Sequence, residues 1–95
     1  MGRFKEKISS LMFRIIFHKS ADKKLSKLSQ SDRVRISKVI ESLAINPYFG
    51  KKLHGELEGS RRIRVGDFRI IYDILESEKI VLIHAIGSRG DIYKS

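Results

Sequence analysis

Hydrophobic positions along this chain change period twice, and the changes mark its elements. Met12 to His18 (MFRIIFH) is rich in β-branched and aromatic residues and predicts a strand. Ser20 offers an N-cap for a helix over Ala21–Ser29, with Ala21, Leu25 and Leu28 on one face. The break Ser29-Gln30-Ser31 precedes a longer helix over Asp32–Ile45. Its Ile36, Val39, Ile40 and Leu43 recur at the i, i+3, i+4, i+7 spacing of an amphipathic face. Asn46-Pro47 ends that helix, because a residue before proline avoids the helical region. Tyr48 to Ser60 reads as loop. The period then falls to two. Arg61–Val65 alternates, Gly66-Asp67 signals a two-residue hairpin turn, and Phe68–Leu75 resumes the strand. Glu76-Ser77-Glu78 makes a second turn. Lys79–Ile86 (KIVLIHAI) has the near-continuous apolar character of a central strand, closed by Gly87 to Asp91, with Ile92-Tyr93 as a last hydrophobic step. The order β-α-α-β-β-β predicts an α+β domain: a helical hairpin packed on one face of a small antiparallel-rich sheet.

Composition narrows the class. At 95 residues and 41% hydrophobic content the chain is a single packed domain over 12–95, with residues 1–11 reading as a polar basic leader. The absence of cysteine excludes a disulfide framework, a thiolate metal site and a cysteine nucleophile, and suits the cytoplasm. The apolar run after the leader is broken by Arg14 and lacks a small-residue cleavage site, so no signal peptide is expected. No stretch approaches the roughly 20 apolar residues that span a bilayer. Twenty Lys and Arg against eleven Asp and Glu give a net charge of +9, which points to a polyanionic partner. Residues 1–50 hold +7 of that charge and residues 51–95 only +2.

Position matters more than the sum. If Gly66-Asp67 are the two loop residues, Val65 faces Phe68, Arg64 faces Arg69 and Ile63 faces Ile70. Alternation then places Ile63, Val65, Phe68, Ile70, Tyr72 and Ile74 on the core face, and Arg62, Arg64 and Arg69 on the other. Like charges directly opposite one another destabilise a sheet by some tenths of a kcal/mol to about 1. Asp67 or Asp73 could soften the repulsion on a merely solvated face. Three guanidinium forks are also what bidentate phosphate binding requires. Arg89 lies between Gly87-Ser88 and Gly90 at the end of the last strand, and Tyr93 follows within reach of a base or of the core. His18 reads as structural or exposed. His54, in the Lys51-Lys52-Leu53-His54 segment, and His84, placed on the arginine face by an odd-sum register (69 opposite 84 or 86), are candidates for a base. No histidine–carboxylate spacing predicts a metal, and no cofactor is expected. Lys23, Lys24, Lys27, Arg33, Arg35 and Lys38 form a cationic helix surface that would suit either solvent or RNA.

These residues carry a resemblance. Arg62-Ile-Arg-Val-Gly-Asp-Phe-Arg69-Ile-Ile-Tyr72, then Ile86-Gly-Ser-Arg89-Gly-Asp-Ile-Tyr93, with Leu53-His54-Gly55 and the Asn46-Pro47 helix end, resemble the RelE-type toxins of the RelE/ParE superfamily. The resemblance spans about residues 12–95. It implies the fold already expected from periodicity, and an mRNA interferase: a toxin that cuts mRNA in the ribosomal A site by 2′-OH attack on the scissile phosphate, without a metal. It implies mRNA and rRNA as partners, with Lys23, Lys24, Lys27, Arg33, Lys51 and Lys52 as footing, and an acidic RelB-like antitoxin. Under it, Arg69 holds the scissile phosphate, Arg89 protonates the leaving oxygen and Tyr93 stacks on the base. Arg62 and Arg64 stand where many such toxins have lysines. A guanidinium is a poor base near neutrality, so either the reaction rests mainly on orientation and electrostatics or His54 or His84 supplies the base. The alternatives are a ParE-like gyrase inhibitor without nuclease activity and a non-catalytic RNA-binding module.

Overall fold

The computed structural model describes residues 12–88, so Arg89, Tyr93 and the 1–11 leader lie outside the described residues. Five strands lie in the order β1-β5-β4-β3-β2. They are β1 (Arg14–Phe17), β2 (Lys51–Lys52), β3 (Ser60–Val65), β4 (Phe68–Leu75) and β5 (Ile80–Ser88). All pairings are antiparallel except β1 with β5, which is parallel. Two helices, α1 (Lys19–Ser26) and α2 (Gln30–Ile45), cover one face. Among the described residues no helix is long and apolar enough to cross a membrane.

The core follows the predicted periods. Ala21 from α1 and Ile36, Ile40 and Leu43 from α2 meet Val65, Ile70, Tyr72, Val81, Ile83 and Ile86 from the sheet, all buried. Ile63, Phe68 and Ile74 pack partly buried around them. The β3–β4 register is the one the turn predicts, with Val65 opposite Phe68, Arg64 opposite Arg69 and Ile63 opposite Ile70. Gly66 adopts φ +61° at the first turn position, as a type II′ hairpin requires. A Cβ there would also come within 3.1 Å of the Arg35 guanidinium, which α2 lays over the turn.

Several boundaries differ from expectation. The α1 cap is His18, not Ser20: the His18 imidazole Nδ1 accepts from the Ser20 backbone N–H at 3.2 Å and lies 2.9 Å from the Ser20 hydroxyl. Helix α2 starts two residues early because Ser29 caps it, accepting from Asp32 N–H. The expected loop over Tyr48–Ser60 contains β2, which extends the sheet beyond β3, and a 3₁₀ turn at Gly55–Leu57. Strand β5 runs through Gly87 to Ser88, because Gly87 still pairs with Arg69.

The expected odd-sum register between β4 and β5 holds only from Tyr72 onward. A β-bulge between Ile71 and Tyr72 leaves His84 without a partner, so Ile71 pairs with Ala85 and Arg69 with Gly87. The reason lies in the core: Ile83 and Ile86 are both buried, and residues three apart face the same side of a strand only across a bulge.

Tyr72 ties the sheet to the segment after α2. Fully buried, its hydroxyl donates to the Pro47 carbonyl at 2.8 Å and accepts from the Gly50 N–H at 3.0 Å. A Cβ on Gly50 would fall 2.2 Å from that hydroxyl oxygen, so only glycine fits. Tyr72→Phe should cost about 1–3 kcal/mol in urea unfolding, because two buried backbone groups lose their partner, and Gly50→Ala should cost more. Burial, the largest influence, raises the Tyr72 phenol above its ordinary value. The unfolded phenol therefore ionises first, and the stability that Tyr72 adds below pH 10 should fall away as pH rises through the folded value, a loss absent from Tyr72→Phe.

Candidate phosphate-binding face

The face of the sheet turned away from the helices gathers the arginines. Arg62 and Arg64 from β3 and Arg69 from β4 share it by alternation, with Arg64 directly opposite Arg69. The short β2 adds Lys51 to the same face, opposite Arg62. At the hairpin end Arg64, Gly66, Asp67 and Arg69 line a cleft of about 160 Å³. Two guanidinium groups and one carboxylate there make a polar, solvent-open cleft of net positive charge, and guanidinium forks are the donors that bidentate phosphate binding uses.

Further along, the same face carries a linked set of side chains. Ser60 donates a short hydrogen bond to one Asp73 oxygen, and the other Asp73 oxygen lies 3.0 Å from His84 Nε2. The bulge turns His84 out, with its side chain 46% exposed. The His18 ring lies parallel to it, with centroids 6.4 Å apart. Asp73 thus engages His84 and Ser60, four residues from Arg69, while Asp67 lines the arginine cleft.

His54 lies elsewhere. It lines a larger cleft of about 470 Å³ with Tyr48, Lys52, Glu58, Arg61 and Glu76, at the opposite end of β3 from the hairpin turn. Arg61 points to the helix side there, donating to the carbonyls of Tyr48 and Gly50 at 2.9 Å each and lying 5.7 Å from the Tyr48 ring centre. Tyr48 donates to Glu76, and that hydrogen bond is the main cause of its raised phenol pKa. His54 and Lys52 are therefore not gathered with the arginines on the outer face.

The helix cations belong to the other side of the domain. Lys23, Lys27 and Lys38 are exposed on the helical layer. Arg33 donates to the Ser26 carbonyl at the end of α1, and Arg35 pairs with Asp32 at 2.9 Å. Among the described residues no group of three or more His, Asp or Glu is placed to hold a metal ion. Ser60 lies opposite Asp73 in the same hairpin register, whereas the approach of His84 to Asp73 depends on the β4–β5 bulge, which spacing along one strand does not reveal.

Comparison with known proteins agrees with this architecture. Residues 15–93 match the family described as ParE toxin of type II toxin–antitoxin systems. A Methanocaldococcus jannaschii protein named as a RelE1 toxin is 33% identical over 89 residues, covering 90% of this chain and 99% of its own length. The RelBE2 toxin–antitoxin complex from Mycobacterium tuberculosis contains a chain that superposes with a TM-score of 0.76 at 26% identity, over 82% of this chain and 99% of that one. In the RelE–RelB complex from Pyrococcus horikoshii the corresponding values are 0.68, 26%, 83% and 97%.

Opposing Arg64 and Arg69 should make the face less stable and more anion-avid at once. Arg64→Gln should raise unfolding stability by some tenths of a kcal/mol to about 1. It should also weaken single-stranded RNA binding and flatten the slope of log K against log salt by about 0.7. Urea melts paired with a salt series on one oligonucleotide measure both.

Proposed function

The chain belongs to the RelE/ParE superfamily of type II toxin–antitoxin toxins, and from that premise we propose that it is a ribosome-dependent mRNA endoribonuclease acting in the cytoplasm. The observation that carries the reading is the Arg64–Arg69 register pair, with Arg62 and Lys51 beside it on one face. A sheet needs no such pair for stability, whereas the phosphorane of an RNA cleavage step needs concentrated, fixed positive charge.

In this reading Arg62, Arg64 and Arg69 grip the scissile phosphate and stabilise the charge that builds on its oxygens. The 2′-oxygen attacks the phosphorus, the bond to the 5′-oxygen breaks, and Arg89 gives that oxygen its proton while Tyr93 stacks on the base. Guanidinium groups accept protons poorly near neutrality, so the 2′-OH proton requires another acceptor. The reaction requires no metal or cofactor. Lys23, Lys24, Lys27, Arg33, Lys51 and Lys52 serve as footing on rRNA. An acidic RelB-like antitoxin neutralises the toxin, a reading supported by the M. tuberculosis and P. horikoshii relatives, which were solved as toxin–antitoxin complexes.

The ParE description of the matching family favours a second reading, inhibition of DNA gyrase without hydrolysis. Mapping mRNA 5′ ends on programmed ribosomes separates the two. The expected result is new ends at the A-site codon with the wild-type chain, and cleavage slowed at least about 100-fold in Arg69→Ala and in Arg89→Ala, with gyrase supercoiling unaffected. Wild-type rates in both variants would refute the site assignment, and gyrase inhibition with intact mRNA would favour the second reading.

A further inference from the structure

The base left open by the arginines has a candidate on the same face. His84 is the extra residue of the β5 bulge, so both it and Ala85 turn to the outer side while Ile83 and Ile86 stay in the core. Bulges re-aim a side chain at the cost of a ladder position. The one here delivers an imidazole between the levels of Ile71 and Tyr72. That is two to three residues from Arg69, or about 7–10 Å along the strand at about 3.3 Å per residue. On the outer face between the imidazole and Arg69, β5 presents only Ala85 and Gly87, and β4 presents the buried Ile71, an apolar floor between the two polar groups.

The imidazole is also held. Asp73 Oδ2 lies 3.0 Å from His84 Nε2, and Ser60 donates to Oδ1 of the same carboxylate. A carboxylate at Nε2 favours the tautomer with the proton there, leaving the Nδ1 lone pair free. The titratable groups packed against the ring are Asp73 from β4 and His18 from the end of β1. His18 is fixed by capping α1, since its own Nδ1 accepts from Ser20 N–H.

Resting on the ribonuclease reading, the geometry points to His84 Nδ1 as the general base for the 2′-OH, with Asp73 and, through it, Ser60 as positioning residues. In the step, the 2′-oxygen forms its bond to phosphorus as its proton passes to His84 Nδ1. The bond from phosphorus to the 5′-oxygen breaks with its electron pair on that oxygen, which takes a proton from Arg89. The imidazolium proton returns through water to the deprotonated Arg89, and the products are a 2′,3′-cyclic phosphate and a 5′-OH. The Ser60–Asp73–His84 chain holds the reactive nitrogen, and the arginines hold the phosphate.

The test is single-turnover cleavage of mRNA on programmed ribosomes by the full chain, followed across pH, with ¹⁵N shifts of the His84 ring in the free protein. Wild type should lose rate as the medium is acidified and show the Nε2–H tautomer. His84→Gln should slow cleavage about 100-fold or more at neutral pH and abolish the acid limb, with ribosome affinity unchanged. Asp73→Asn should slow it about 10-fold and mix the tautomers, and Asp73→Glu should recover part of the rate. Arg69→Ala should lower the rate at every pH and keep the limb. Unfolding midpoints confirm that each variant is folded. Should His84→Gln keep both the wild-type rate and the limb, the base assignment is overturned while the ribonuclease reading stands. A wild-type chain that leaves mRNA intact overturns both.

Discussion

The β3–β4 register, set by Gly66 at φ +61°, is the constraint on which the rest of the molecule depends. Side chains alternate along β4, so one fixed register sends Ile70 and Tyr72 into the core and Arg69 and Asp73 to the opposite face. A slip of one residue would bury the charges and expose the core together. The burial that stabilises the hairpin, roughly 1.5–3 kcal/mol for each large apolar side chain, is thus what holds Arg64 against Arg69. Their repulsion, about 1 kcal/mol or less, is smaller than the burial of Ile70 alone. The face can therefore carry its opposed charges without changing partners.

Tyr72 extends that constraint sideways. Its hydroxyl bridges the Pro47 carbonyl and the Gly50 N–H, which fixes the chain just where it enters β2. The two-residue β2 would be a weak edge by itself. Anchored this way, it sets Lys51 opposite Arg62 and enlarges the cationic face by a strand. Arg61, next to Arg62 but of opposite parity, serves the other side, where it holds the carbonyls of Tyr48 and Gly50. Neighbouring arginines in one strand therefore differ in role: one braces the fold and the other lies on the outer, cationic face.

How much of this is legible in the sequence follows from the range of each interaction. Period and turn chemistry are local, so the hairpin register, the core face of β4 and the helical pair are readable in advance. The α1 cap is misread because an imidazole nitrogen, a less common cap than a hydroxyl, does the accepting at His18. Strand β2 is missed because two residues have no period. The bulge is concealed by the near-uniform apolar run KIVLIHAI, in which only the burial of both Ile83 and Ile86 forces a break. Ser60 opposite Asp73 follows from the same hairpin register, whereas the approach of His84 to Asp73 depends on the β4–β5 bulge and is not encoded in spacing.

The unequal division of charge then takes on meaning. Residues 1–50 carry most of the net positive charge, yet the helix cations sit exposed on the helical layer or, as with Arg33 and Arg35, are used on nearby carbonyl and carboxylate groups. The nearly balanced second half places Lys51, Arg62, Arg64 and Arg69 on one face, because alternation separates its charges by side and register aligns them. Its carboxylates are not spread evenly against the arginines. Asp73 is engaged by Ser60 and His84, several residues from Arg69, which leaves the hairpin end dominated by guanidinium charge. A uniform neutralisation of that face would relieve the Arg64–Arg69 repulsion and remove its local excess of positive charge. Segregating the Arg64–Arg69 pair at the hairpin end from the Asp73–His84 pair farther along β4 and β5 keeps concentrated positive charge and a carboxylate–imidazole pair on a single sheet face.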